Sequence, residues 1–201
     1  MLGKEVIVTA INRQRFEKDF LKYFGYTLKE KQVFGIRKIL DYWENSTYND
    51  TRWLAYIIAT AWHETGTRME AVREGFSKND EQAVYRVARL YDRGYIKRNY
   101  AVRHNNGNSY YGRGLVQITH GYNYAKWGYY DNPDKVLDIG VAVHILVKGM
   151  VDGMFTGVGL PKYFNNKKTS WKYARKIVNG LDKATQIAEY AKKFFKIIEG
   201  K

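Results

Sequence analysis

The sequence predicts a mainly α-helical single domain with one irregular wall, and three observations carry that reading. Apolar residues recur at helical spacing along most of the chain. Helix-opening and helix-stopping residues fall at the ends of those stretches. Between Tyr95 and Tyr130 the pattern changes to Gly, Asn and Tyr without helical period. The 201 residues suit one domain with a real core, and 45% hydrophobic composition with only 2 prolines excludes a disordered chain. No internal repeat and no Pro- or Ser-rich linker divides it.

In chain order, residues 1–48 read as an N-terminal helical part. Within it Thr27 and Glu30 form a capping-box pattern opening a helix to about Asn45, with Val33, Ile36, Ile39, Leu40 and Trp43 on one side. Asn49 or Asp50 caps a second helix carrying Trp53, Leu54, Ile57, Ile58, Ala61 and Trp62, which Gly66 stops. A third runs from about Asp80 to Asp92. The wall around residues 95–130 is irregular or short-stranded, and an unperiodic stretch of that length is where function is expected. Asn132-Pro133-Asp134 opens a long apolar helix to about Phe155. Two more follow, roughly Ser170 to Val178 and Lys183 to Ile198, separated by Asn179-Gly180.

Composition narrows the chemistry. With no cysteine, disulfides, thiolate metal sites and cysteine nucleophiles are excluded. A net charge of +14, from 34 Lys+Arg against 20 Asp+Glu, calls for a polyanionic partner such as nucleic acid, anionic membrane or cell wall. The 18 Tyr and 5 Trp exceed what a core of this size needs. Met1 to Ala10 holds one short apolar run, Val6-Ile7-Val8, so no leader is expected and the product stays where it is made until released. Ile139 to Val147, broken by Gly140 and His144, is too short for a membrane span.

Glu64 stands out on geometry. It follows Trp53 by 11 residues, Ile57 by 7 and Ala61 by 3, so it lies on the apolar stripe of its helix and in the last turn. A partly desolvated carboxyl at the negative end of a helix is a setting for a general acid. The competing reading is a helix-end carboxylate paired with one of the many arginines. His63-Glu64 is not a zinc motif, because the second histidine that motif requires is Thr67 here. His104, His120 and His144 have no ligand spacing, so neither metal nor cofactor is expected. His144, inside an apolar helix, reads as a core residue.

His63-Glu64-Thr65-Gly66, taken with Tyr110-Tyr111-Gly112-Arg113-Gly114-Leu115-Val116-Gln117-Ile118-Thr119 and then Tyr122-Asn123-Tyr124, closely resembles glycoside hydrolase family 19. That family holds chitinases and many phage endolysins on a lysozyme-like α fold. Asn132-Pro133-Asp134 and Arg175-Lys176-Ile177-Val178-Asn179-Gly180 resemble its later motifs. The resemblance covers roughly residues 50–195. It implies one catalytic domain over 1–201, with a family-19-like core at 49–201.

The resemblance implies Glu64 as general acid and Thr119 as the hydroxyl that helps hold the attacking water. It implies Gln117, Asn123 and Asn179 as sugar-binding groups, with His63 beside the acid. For the second carboxylate it points to Glu74, ten residues past Glu64, with Glu70, Asp80 and Glu81 as competitors. The chain departs from the family at Gly180-Leu181-Asp182, where many members have a second glycine and an asparagine.

An inverting glycosidase protonates the leaving oxygen with one carboxyl and activates water with the other, the two lying ~6.5–9.5 Å apart. Because Gly66 ends the helix, the expectation is that Glu74 faces Glu64 across a cleft. Arg73 or Arg113 is expected to pair with the base, or Arg113 to anchor another carboxylate internally. Tyr110, Tyr111, Tyr122, Tyr124 and Trp127 form an aromatic cluster shared between core and sugar subsites, with Tyr111 placed in the substrate-binding set.

The favoured expectation is an endolysin hydrolysing the glycan strand of bacterial peptidoglycan, acting on the wall in the periplasm as a monomer. The alternatives are a chitinase acting on poly-N-acetylglucosamine and a non-enzymatic polyanion-binding protein; nucleic acid is not the expected partner. The C-terminal segment Lys183 to Lys201 is amphipathic and basic. It reads as the closing helix, and a sharper reading adds contact with an anionic membrane or lipopolysaccharide.

Overall fold

A computed structural model describes residues 10–201. The reading of Met1 to Ala10 therefore lies, except for Ala10, outside the described residues. Seven α-helices are described: α1 (Arg13–Phe24), α2 (Glu30–Glu44), α3 (Thr51–Glu64), α4 (Asp80–Asp92), α5 (Gly121–Lys126), α6 (Ile139–Asp152) and α7 (Ala184–Glu199). Four two-residue strands form two antiparallel pairs: β1 (Val72–Arg73) with β2 (Arg113–Gly114), and β3 (Phe164–Asn165) with β4 (Lys168–Thr169). The fold is mainly α, as the sequence predicts, and is consistent with a lysozyme-like architecture. The chain divides into two compact units, Met1–Met69 with Leu146–Lys201, and Glu70–Ile145.

The first unit is built on α3. Every residue from Leu54 to Trp62 is buried, so this helix is apolar around its circumference rather than on one stripe, as a central helix must be. Asp50 caps it, accepting a hydrogen bond from Arg52 N at 3.0 Å. The helix α7 packs chiefly on α3 and also on α1, with Ile187, Ala191, Phe194 and Ile197 fully buried. Phe194 sits 5.8 Å from Trp62 and 5.1 Å from Phe24, ring centre to ring centre. The apolar face of the C-terminal helix is thus a wall of this core. Membrane insertion would require the helix to give up that packing.

Between Glu64 and Met69 the chain turns sharply. Thr67 and Met69 both adopt positive φ, 68° and 57°. The turn is held by Thr65, whose hydroxyl donates to Ala61 O at 2.7 Å and accepts from Met69 N at 3.0 Å, and by Gln32, whose amide donates to Thr67 O at 2.8 Å. Unusual backbone conformations of this kind persist where the surroundings over-determine them.

The second unit carries the irregular wall. Its strand pair aligns Val72 with Gly114 and Arg73 with Arg113, fastening the start of the unit to the Gly-Arg-Gly run. Asn79 caps α4 through Gln82 N at 3.0 Å. Within residues 95–130 the structure adds the short helix α5, too brief to show a hydrophobic period.

Three expectations shift. The helix after Thr27 begins at Glu30, because Gln32 reaches back to accept from Lys29 N at 2.8 Å and sets the start there. The helix expected from Pro133 to Phe155 is a 3-10 turn (Pro133–Leu137) followed by α6. Asp138 is extended and accepts from Val141 N at 3.0 Å, acting as a fresh cap. The helix expected at Ser170–Val178 is a 3-10 turn over Tyr173–Ile177, since Ser170 N is held by Tyr163 O at 2.9 Å as the β3–β4 hairpin closes.

Gly35 on α2 makes a close backbone approach in the first unit. A Cβ there would lie 1.9 Å from the Met69 carbonyl oxygen, which is backbone and cannot swing aside. Gly35→Ala is expected to destabilise the protein by about 1–3 kcal/mol, the cost of overpacking a close contact. A urea unfolding midpoint equal to that of the parent would count against this packing.

Candidate active site

In the first unit lie Glu64, His63, Asn179 and a residue to which the sequence reading gave no role, Arg175. Glu64 ends α3, with a side chain 18% exposed, and its Oε1 accepts from Arg175 Nη1 at 2.7 Å. Arg175 is buried on the Tyr173–Ile177 turn and also donates Nε to Asp182 O at 3.2 Å. The competing reading of Glu64 as an arginine-paired carboxylate thus describes its surroundings, and desolvation alone does not. The signal was in the sequence, in the late Arg-x-Ile-Val-Asn-Gly run. Burial lowers the pKa of His63; Glu64 opposes that shift and Arg175 reinforces it. Asn179 is exposed directly after the turn, its side-chain oxygen accepting from Gly180 N at 2.8 Å.

In the second unit lie Glu74, Thr119, Gln117, Asn123 and Tyr111. Glu74 opens a 3-10 turn (Glu74–Phe76), and its backbone N donates to Gly112 O at 2.7 Å. Its carboxylate is gripped at both oxygens. Oε2 accepts from Gly112 N at 2.7 Å, and Oε1 accepts from the Tyr100 hydroxyl. A side chain at Gly112 would meet Gln117 Oε1 at 2.9 Å and Glu74 Oε2 at 3.3 Å, so the glycine permits this approach. Among the described residues Glu74 forms no ion pair. Tyr100 is a member of this site that the sequence did not mark.

The competing carboxylates are placed differently. Asp80 accepts from the Tyr111 hydroxyl and pairs with Arg113 at 3.1 Å and Arg73 at 3.6 Å. Glu81 is 75% exposed and pairs with Arg103 at 3.4 Å. Glu70 is half-buried. Arg73 and Arg113 do not pair with Glu74 as one expectation held. Arg113 anchors Asp80 and Asp134 (2.8 Å) instead, the internal role that was the other expectation.

Thr119 donates its hydroxyl to Gln117 O at 3.0 Å, leaving the oxygen's lone pairs able to accept. The Asn123 amide donates to Thr119 O at 2.7 Å. The Gln117 amide nitrogen donates to Val72 O and Gly114 O, both at 3.0 Å, holding its own backbone at φ 53°. Tyr111 is fully buried, its hydroxyl on Asp80 and its ring 3.7 Å from the Arg113 guanidinium, so no face of it is open to a ligand in this structure. Among the described residues no cluster of three metal-ligating side chains occurs, and no helix is long and apolar enough to cross a membrane.

Among solved structures the chain is similar to chitinase C from Streptomyces griseus: 20% identity, TM-score 0.54, covering 98% of this chain and 96% of that one. A variant of chitinase C (19% identity, TM-score 0.49, 99% and 96% covered) and a bacterial family 19 chitinase (16%, 0.47, 94% and 95%) are also similar. At these identities the likeness is one of fold. No family model and no curated protein matches the chain.

Asp80 supplies a test of the wall. Burial would raise its pKa, but Tyr111, Arg113 and Arg73 outweigh burial and hold it below the ordinary range. A depressed folded value means that its stabilisation is present above the unfolded value, about 3.9, and is lost as pH falls through the folded one. Asp80→Asn is expected to lower stability at pH 7 and to flatten the fall of stability with pH below about 4. Parallel pH–stability curves for parent and variant would refute that assignment.

Proposed function

We propose that the chain is a glycoside hydrolase that cuts the glycan strand of bacterial peptidoglycan, an endolysin, with Glu64 as general acid and Glu74 as the base that activates water. The observation that carries this reading is a pair of carboxylates in unlike settings. Glu64 is tied to a buried guanidinium, and Glu74 is held by two neutral donors with no cation. Two carboxyl groups whose environments differ are the usual source of an acid and a base in one enzyme; which is which is taken from the motif resemblance, since a guanidinium partner by itself favours the ionised form. The motif resemblance and the chitinase-like fold support the same reaction class. Thr119, its hydroxyl oxygen open to accept, is the proposed partner of the attacking water.

Peptidoglycan is favoured over chitin by charge. Residues 153–181 contain no Asp or Glu, while Lys162, Lys167, Lys168, Lys172 and Lys176 are exposed and, among the described residues, outside any ion pair. A wall polymer bearing peptide carboxylates is attracted by such a surface and neutral chitin is not. The chitinase reading rests on the fold neighbour, chitinase C.

Glu64→Gln and Glu74→Gln are each expected to stay folded and to lose at least about a hundredfold in hydrolysis, while Thr119→Ala loses less. Incubation with purified peptidoglycan and with chitin, followed by mass analysis, separates the two substrates. Products that retain the anomeric configuration, or a folded Glu74→Gln variant of normal activity, would remove Glu74 as base.

A further inference from the structure

Residues 95–109 and the start of α5, all within the second unit, enclose a groove of about 350 Å³ whose walls include Arg98, Tyr100, His104, His120, Tyr122 and Tyr130. A second hollow of about 500 Å³, bordered by Arg103, shares Val102, His104 and Tyr130 with the first, so the two are neighbours. Both volumes lie in the range of small-molecule and saccharide sites.

Two features of the lining point to its ligand. The first is aromatic surface: the His120 ring stacks on Tyr122 at 5.6 Å and 8°, Tyr100 meets His120 edge-on at 5.5 Å, and Tyr122 is 63% exposed. Such faces cover the apolar faces of pyranose rings. The second is charge: no residue lining either hollow is acidic, and among the described residues Arg98 forms no ion pair, whereas Arg73, Arg103 and Arg113 all have carboxylate partners. A guanidinium without a partner, beside flat rings, offers a planar fork that matches a carboxylate. The groove also adjoins the candidate base. Tyr100 lines it and places its hydroxyl on Glu74.

We propose that this groove binds a carboxylate-bearing sugar residue of the glycan, with Arg98 receiving the carboxylate, and that it selects acidic over neutral strands. The proposal rests on the reading of the chain as a glycan hydrolase, and it assigns the specificity that reading leaves to surface charge. The carboxylate has two sources in peptidoglycan: the lactyl group of a peptide-free muramyl residue, or the stem peptide where the lactyl carboxyl is in amide linkage.

The test is calorimetric titration of the full chain carrying Glu64→Gln, to prevent turnover. Three ligands are used: chitotetraose, a peptide-free tetrasaccharide of alternating N-acetylglucosamine and N-acetylmuramic acid, and the same tetrasaccharide bearing stem peptides. At least one acidic ligand is expected to bind about tenfold tighter than chitotetraose, as a charged hydrogen-bonded pair supports. Adding Arg98→Gln is expected to collapse that ratio towards one. Preference for the peptide-free ligand assigns the contact to the lactyl carboxylate, and preference for only the peptide-bearing one assigns it to the stem. Equal binding of neutral and acidic ligands, or a ratio unmoved by Arg98→Gln, overturns the proposal. Arg98 is exposed, and an unchanged melting curve will show that the variant is folded. Hydrolysis by the parent protein is scored separately. If it cuts neither glycan but the Arg98-dependent ratio holds, the hydrolase reading fails and the groove stands; if it cuts peptidoglycan but the ratio is flat, the reverse is true.

Discussion

Arg113 carries a full positive charge at a position with no exposure to water, and a buried guanidinium costs several kcal/mol unless it is paired and hydrogen-bonded. Here every nitrogen donates, through four of the five N–H groups. Nε donates to Asp134, Nη2 to Asp80, and Nη1 to both Ser109 O and the Tyr124 hydroxyl, while the Tyr111 ring covers one face. These partners come from the start of α4, the irregular wall, α5 and the Pro133–Leu137 turn. A wall with so little regular backbone hydrogen bonding has few other means of fixing its shape. Its parts converge on one cation.

The residue before that cation is Gly112, and this adjacency links the wall to chemistry. With Arg113 immobilised, the Gly112 N–H is aimed, and it is this donor that grips Glu74. The strand pair repeats the logic in backbone, since Arg73 aligns with Arg113 and Glu74 is the next residue along. The first unit uses the same device on a smaller scale: buried Arg175 fixes the carboxyl at the end of α3. In both units the carboxylate proposed to act is set by a buried arginine, directly for Glu64 and through one peptide group for Glu74.

Most of this frame could be read from the sequence. The bounds of α4 were legible because Asn79 caps it and Gly94 follows it, and Glu64 because its spacing from Trp53 and Ile57 put it on a buried helix face. The break at Asp138 was not legible, because an aspartate inside an apolar period looks like an interruption until its carboxylate is seen capping Val141. Gln117 was read from resemblance as a substrate contact, and Tyr111 from the aromatic cluster as one of the substrate-binding residues. In the structure Gln117 holds its own left-handed turn, and Tyr111 is the floor beneath Arg113. Tyr100 carried no signal, since a tyrosine among basic and aromatic residues announces nothing about the glutamate 26 positions earlier that it contacts.

The surplus of tyrosine noted in the composition has a physical use in this wall. Tyr100, Tyr111 and Tyr124 each place a hydroxyl on a carboxylate or carbonyl oxygen, and for all three burial, foremost, raises the phenol pKa above its ordinary value. A phenol so placed remains protonated, and remains a donor, over the whole range in which carboxylates and histidines titrate. Lysine or histidine at position 100 would bring to Glu74 a charge of its own, which for histidine would change with pH. Tyrosine donates one hydrogen bond and no net charge. The wall therefore separates two tasks that one arginine cannot perform together: Arg113, with Arg73, neutralises Asp80 and Asp134 and fixes the backbone, while Tyr100 orients Glu74 without pairing its charge. The base role proposed for Glu74 requires a carboxylate that is oriented yet uncommitted, and a neutral donor at one oxygen with a backbone N–H at the other meets both conditions.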